Sequence, residues 1–365
     1  MLIIDGHLDL AYSALQCNRD LLCSAFTIRV HETSLGLGAP QGAGAAQGTV
    51  ALPEMRQGRI VLCFATLLAG CTGNPIPHSD YSSPTQSYGI ARGQLAYYRA
   101  LEKEGHARVI TDIAALDSHM TEWETWDADE NADMENAPPL GIIVSMEGAD
   151  PILRPDELQE WRNLGLRMVI LAHFGPGRYA GGTRTELGLT ELGVPLLAEM
   201  ERLGVLLDLT HCSDQAFWQA LEHYSGLVLA SHSNSRALVP NQRQMSDEQM
   251  KAIIERDGVI GTCADVWMLE PGWLKGVGTN EHVTLGTMVD HIDHVCQLAG
   301  NSRHVAIGTD LDGGYGRDQS PRDLETIADL QKLIGLMADR GYSMADIANV
   351  MHGNWLRLLR QSWSK

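Results

Sequence analysis

Eight short apolar runs, spaced through 365 residues, constrain the fold of this chain more than any other feature. They are Leu2–Ile4 leading into Asp5-Gly6-His7-Leu8-Asp9, then Ile60–Leu68, Gly141–Glu147, Met168–His173, Val205–His211, Leu227–His232, Val259–Ala264 and Val305–Asp310. Continuous apolar runs of this length read as strands buried on both faces, the pattern of a parallel sheet. Parallel neighbours need crossover helices, and helical signals lie between the runs. Ser213 is placed to cap a helix carrying Phe217, Ala220 and Leu221, and Ser246-Asp247-Glu248-Gln249 has capping-box form ahead of Met250, Ile253 and Ile254. Eight such units predict an α/β fold, a (β/α)8 TIM barrel in a single domain over residues 1–365. A doubly wound open sheet is the alternative, because periodicity does not show closure.

Six of the eight runs end in groups that titrate or bind metal: His7 with Asp9, Glu147, His173, His211, His232 and Asp310. One histidine at a strand end is ordinarily a hydrogen-bonded core group. In a barrel, however, all C-terminal strand ends converge on one face, where active sites of this fold sit. Burying four imidazoles and three carboxylates together is costly without a cation. Imidazole and carboxylate without thiolate suit divalent first-row metals, zinc first, with manganese or cobalt as alternatives. Such a set also matches a two-metal hydrolytic site, in which a hydroxide held between two cations attacks a carbonyl. Glu147 is the bridging candidate, since a carboxylate offers two oxygens where an imidazole offers one nitrogen.

Composition removes other classes. Asp plus Glu is 46 against 27 Lys plus Arg, a net charge of −19 that disfavours nucleic acid and anionic membrane surfaces. No apolar stretch approaches the roughly 20 residues of a membrane span, and no leader is evident, so a cytoplasmic location is expected. Seven cysteines without a Cys-x-x-Cys pair indicate neither a disulfide framework nor a zinc–thiolate site. Gly181-Gly182-Thr183 reads as a turn rather than a phosphate loop. Two stretches read as loop inserts: a Gly/Ala-rich one near 36–50, and an acidic, Trp-bearing one over 117–139 that is expected to be a solvated loop.

The chain resembles the membrane (renal) dipeptidases, peptidase family M19, a branch of the amidohydrolase-like metal-dependent barrels. The resemblance rests on Asp5-Gly6-His7-Leu8-Asp9, Ser145-Met146-Glu147-Gly148, Gly188-Leu189-Thr190-Glu191-Leu192-Gly193, Asp208-Leu209-Thr210-His211, Ser231-His232-Ser233-Asn234-Ser235-Arg236-Ala237, Ile307-Gly308-Thr309-Asp310-Leu311-Asp312-Gly313 and Gly353-Asn354-Trp355-Leu356-Arg357. It implies a zinc-dependent dipeptidase with two divalent ions per chain. His7 and Asp9 would hold one, His211 and His232 the other, and Glu147 would bridge. It further implies that His173 stabilises the oxyanion, Arg243 binds the substrate's terminal carboxylate and Asp310 moves the proton. The implied partner is a small dipeptide; a homodimer is compatible, with the oligomeric state left open. The chain departs from the family pattern at Thr262-Cys263-Ala264-Asp265-Val266-Trp267-Met268, where Asp265 and Trp267 put side-chain preference in question. Two alternatives stand beside the dipeptidase: an amidohydrolase acting on N-acyl amino acids or lactones, and a non-catalytic metal-binding barrel.

Overall fold

The computed structural model describes residues 1–38, 44–73 and 78–364. Among these residues, nine strands form one all-parallel sheet: β1 (Ile3–Leu8), β2 (Ile60–Leu68), β3 (Ala107–Val109), β4 (Leu140–Glu147), β5 (Leu166–Ile170), β6 (Leu206–Asp208), β7 (Val228–Ala230), β8 (Val259–Thr262) and β9 (Val305–Ile307). Eight follow one another in the order β1-β2-β4-β5-β6-β7-β8-β9, and β3 pairs with β4 outside that path. Every predicted strand is present, and all strand positions but one are buried, as the unbroken apolar runs require. No helix among the described residues is long and apolar enough to cross a membrane.

The ring comes close to closing where β9 meets β1. Asp310 N–H donates to His7 O (3.2 Å), and the buried Asp5 carboxylate accepts from Thr309 N (2.9 Å), Thr309 Oγ1 (2.6 Å) and His7 N (3.1 Å). The C-terminal helix Asn354–Trp363 backs this seam. Asn354 Nδ2 donates to Ser302 O and Val305 O, and Trp355 Nε1 donates to Ile307 O. Inside the ring the Ser231 carbonyl occupies space that only glycines leave open: an added Cβ would lie 1.8 Å from it at Gly308, 1.9 Å at Gly261 and 2.9 Å at Gly6. Strands β7, β8, β9 and β1 are thereby drawn close just below the mouth.

One expectation changes. The acidic stretch is not a solvated loop throughout, because residues 117–127 belong to the helix Ile113–Asp127, capped by Asp112 accepting from Ala115 N. Its charges face outward, while Leu116, His119, Met120 and Trp123 are buried and Trp123 Nε1 donates to Pro139 O. Spacing of three and four residues decided this burial against the acidic composition. Of the Gly/Ala-rich stretch, residues 39–43 lie outside the described residues. At its end Asp312 accepts from Thr49 N, Thr49 Oγ1 and Val50 N and faces the Arg19 guanidinium at 3.4 Å, which ties Thr49-Val50 to the barrel.

His119 gives this packing a pH signature. Its Nε2 lies 2.8 Å from Val61 O, its Nδ1 faces Arg108, and an added Cβ at Gly141 would stand 2.6 Å from the ring. Burial, helped by Arg108, pushes its pKa down to about 4. A folded-state value below the unfolded one stabilises the fold fully above about pH 6.5, and the contribution is lost as pH falls toward 4. The shift corresponds to about 3 kcal/mol. Urea midpoints at pH 7.5 and 5.0 are expected to differ more for the wild type than for His119→Gln; an equal difference would rule this source out.

Candidate metal centre at the barrel mouth

The strands themselves end early: β5 at Ile170, β6 at Asp208, β7 at Ala230 and β9 at Ile307. His173, His211, His232 and Asp310 therefore sit just past the ladder, where side chains are free to turn into the mouth. Two aspartates hold these exits in the same way. Asp208 Oδ1 accepts from Thr210 N (2.9 Å) and from Ser231 N on the next strand's exit (3.1 Å), as Asp5 does from His7 N and Thr309 N. The residue after each stitched threonine has left-handed backbone, His211 at φ +64° and Asp310 at φ +61°. Such a conformation costs about 1 kcal/mol or more in a residue with a Cβ and persists only where neighbours over-determine it.

All seven predicted groups meet. Glu147 is the hub: its Oε1 lies 3.2 Å from His211 Nε2, 3.4 Å from His232 Nε2 and 3.9 Å from His173 Nε2, and its Oε2 lies 3.5 Å from His7 Nε2. His7 Nε2 is also 3.7 Å from Asp9 Oδ2 and 3.9 Å from Asp310 Oδ1. Three triads each bring one donor atom per residue within 4.8 Å of one another: His7, Glu147 and His232; Glu147, His173 and His211; His7, Asp9 and Asp310. Glu147 thus belongs to two of the three. The triads also cut across the expected pairs, setting His7 with His232 and His173 with His211.

The donor chemistry fits a divalent cation. Thr183 Oγ1 lies 3.3 Å from His211 O and 2.9 Å from His211 Nδ1, so it donates to the first and accepts from the second, which leaves Nε2 as a bare lone pair. Ser231 Oγ lies 2.8 Å from His232 Nδ1, and where it accepts from that nitrogen His232 Nε2 is left bare as well. The two Nε2 atoms then stand 3.2 Å apart, lone pair to lone pair, unless a cation or proton lies between them. Both ring nitrogens of His7, and Asp9 Oδ1, are buried with no hydrogen-bond partner among the described residues. Buried polar atoms without partners are uncommon, and a cation held here would supply a partner.

Electrostatics agree. Burial, then the positive charges nearby, holds His211 and His232 well below the usual imidazole range, so both are neutral and competent as ligands. Burial alone would raise Glu147, but the surrounding imidazoles overcome it and keep the carboxyl ionised. Asp310 moves the other way: burial, with Asp9 and Glu147 adding to it, pushes its carboxyl well above the usual range.

Arg243 flanks the cluster. Only 4% exposed, its guanidinium donates from Nη2 to His232 O (2.8 Å) and from Nη1 to Ser233 Oγ (3.2 Å). Among the described residues no carboxylate lies within salt-bridge distance of it. Asp5, Asp208, Thr183 and Ser231 were not singled out in the sequence as functional, although the repeated Asp two residues ahead of His7 and Thr210 is a visible signal.

A parallel barrel whose mouth gathers four imidazoles and three carboxylates defines a class, the metal-dependent hydrolase-like barrels. Within it, the sequence pattern of the membrane dipeptidases (Peptidase family M19) matches residues 1–364, so the chain belongs to that family and is a metallopeptidase of the dipeptidase type. An uncharacterized dipeptidase of Schizosaccharomyces pombe is 30% identical over 224 residues, which cover 60% of this chain but only 52% of that protein. Dipeptidase aclJ of Aspergillus oryzae is 28% identical over 320 residues, covering 86% and 69%. A metallopeptidase from Rhodobacter sphaeroides, solved with a phosphinate mimic of the dipeptide L-Ala-D-Ala, superposes with a TM-score of 0.78 at 23% identity, covering 100% of this chain and 99% of that one.

Proposed function

We propose that this chain hydrolyses the amide bond of small dipeptides with two divalent cations, zinc by preference, and that Arg243 selects substrates with a free terminal carboxylate. A buried guanidinium with no acid partner among the described residues, beside a cluster of metal-type donors, is the observation that carries the reading. Guanidinium matches carboxylate with two parallel hydrogen bonds, and a buried charge of this kind is expected to find its counter-ion in the ligand. His7 with Asp9, and His211 with His232, would hold the metals, with Glu147 shared between them. When bound, the cations supply Lewis acidity that polarises the scissile carbonyl and activates water.

The chain's own residues do the rest. Arg243 fixes the carboxylate end of the substrate, so the peptide bond is presented to the cluster. His173, whose side chain is about a quarter exposed, is the imidazole most open to the mouth and donates toward the carbonyl oxygen as charge develops there. Asp310, with its raised pKa, takes the proton released by the attacking water and delivers it to the leaving nitrogen.

Metal-loaded protein assayed against L,L and L,D dipeptides and the matching N-acetyl amino acids tests this. Dipeptides are expected to be cleaved with kcat/KM at least about tenfold above the acetylated compounds. A preference for the N-acetyl series would favour the acylase alternative, and metal binding without turnover of any peptide would favour the non-catalytic one.

A further inference from the structure

Asp265 follows β8 at the barrel mouth, and neither the metal cluster nor the proposed role of Arg243 uses it. It is 5% exposed, and its Oδ1 accepts from Gln319 Nε2 (2.7 Å) and Trp267 N (3.3 Å), the latter capping the turn Val266–Met268. No cation lies within salt-bridge distance of its carboxylate among the described residues. Lys275 bears on it electrostatically, and its ammonium donates to Gly314 O at 2.9 Å.

Its neighbours place it. Asp265 bears electrostatically on Asp310, and Asp265, Asp310 and Arg243 all act on the buried Cys263 thiol. The same wall is bound to the Arg243 segment: Asn234 Nδ2 donates to Cys263 O and Met268 O, and Gln244 Nε2 donates to Met268 O. The Arg243 guanidinium and the Asp265 carboxylate therefore belong to two hydrogen-bonded segments on one side of the mouth, and neither has an opposite charge within salt-bridge distance among the described residues. A single amino acid bearing a carboxylate and a cationic side chain has the complementary charges. If Arg243 holds the terminal carboxylate, the residue beside Asp265 is the C-terminal one, the leaving group of the reaction.

We infer that Asp265 is a specificity determinant selecting dipeptides whose C-terminal residue carries a cationic side chain, lysine- or arginine-like. The inference rests on the dipeptidase reading and refines it. The net charge of −19 works in the same direction, by attracting cationic substrates. Gln319 holds one carboxylate oxygen, so the side chain is fixed before substrate arrives.

The test compares Ala-Lys with Ala-Met, similar in side-chain length, on metal-loaded wild type and on Asp265→Asn, which retains an oxygen for the Trp267 and Gln319 contacts. Wild type is expected to favour Ala-Lys by about tenfold or more in kcat/KM, the scale of one charge-assisted contact. Asp265→Asn is expected to lose that preference while its kcat/KM for Ala-Met stays within about threefold of wild type. Equal rates on the two peptides in the wild type, or an unchanged ratio in the variant, would overturn the inference and leave the dipeptidase reading standing. Failure to cleave either peptide would remove the dipeptidase reading and the inference with it.

Discussion

Glu147→Gln is expected to abolish activity, with kcat/KM on any dipeptide falling by roughly a thousandfold or more, because Lewis-acid stabilisation worth several kcal/mol depends on this side chain. Glu147 faces four imidazoles within 3.9 Å and, among the described residues, is the one carboxylate that both Nε2 atoms of the His211–His232 pair approach. Glutamine keeps the shape but loses the charge, and it offers an NH2 donor where a cation would need an anionic oxygen. Metal content should therefore fall together with activity, while the far-UV circular dichroism remains that of the wild type. If the variant kept its metal and lost only turnover, Glu147 would be acting on the proton rather than holding the cations.

Arg243→Ala is expected to lower kcat/KM for dipeptides by about a hundredfold, the scale of two charge-assisted hydrogen bonds, chiefly through KM. Arg243 also donates to His232 O, so truncation could act through the shape of the metal centre. A comparison of Ala-Ala with its C-terminal amide separates the two causes. Wild type is expected to discriminate strongly in favour of the free acid, and the variant to treat both alike. An equal loss on acid and amide would instead assign Arg243 to supporting His232.

Much of this was legible in the sequence because a parallel barrel writes its strands as unbroken apolar runs. His7, Asp9, Glu147, His173, His211, His232 and Asp310 stand out because each interrupts or follows such a run. Strand β3 was not legible: Ala107-Arg108-Val109 is three residues long and exists through its pairing with β4. The helix Ile113–Asp127 was obscured because Glu122, Glu124 and Asp127 surround Trp123, and composition weighed more than spacing. Asp5 and Asp208 resemble metal ligands in the linear sequence. Only the fold shows them stitching strand exits, since Asp5 finds its partner 304 residues away in Thr309. Asp265 is the reverse case, an evident departure whose possible use depends on which side of the mouth Arg243 occupies.

Elemental analysis of the purified chain reconstituted with zinc, freed of loosely bound ions and assayed in parallel with Glu147→Gln, tests the account at its centre. Two metal ions per wild-type chain, with fewer in the variant and dipeptide hydrolysis rising with occupancy, are the predicted result. A wild-type chain that cleaves dipeptides at full rate with one ion or none would contradict it.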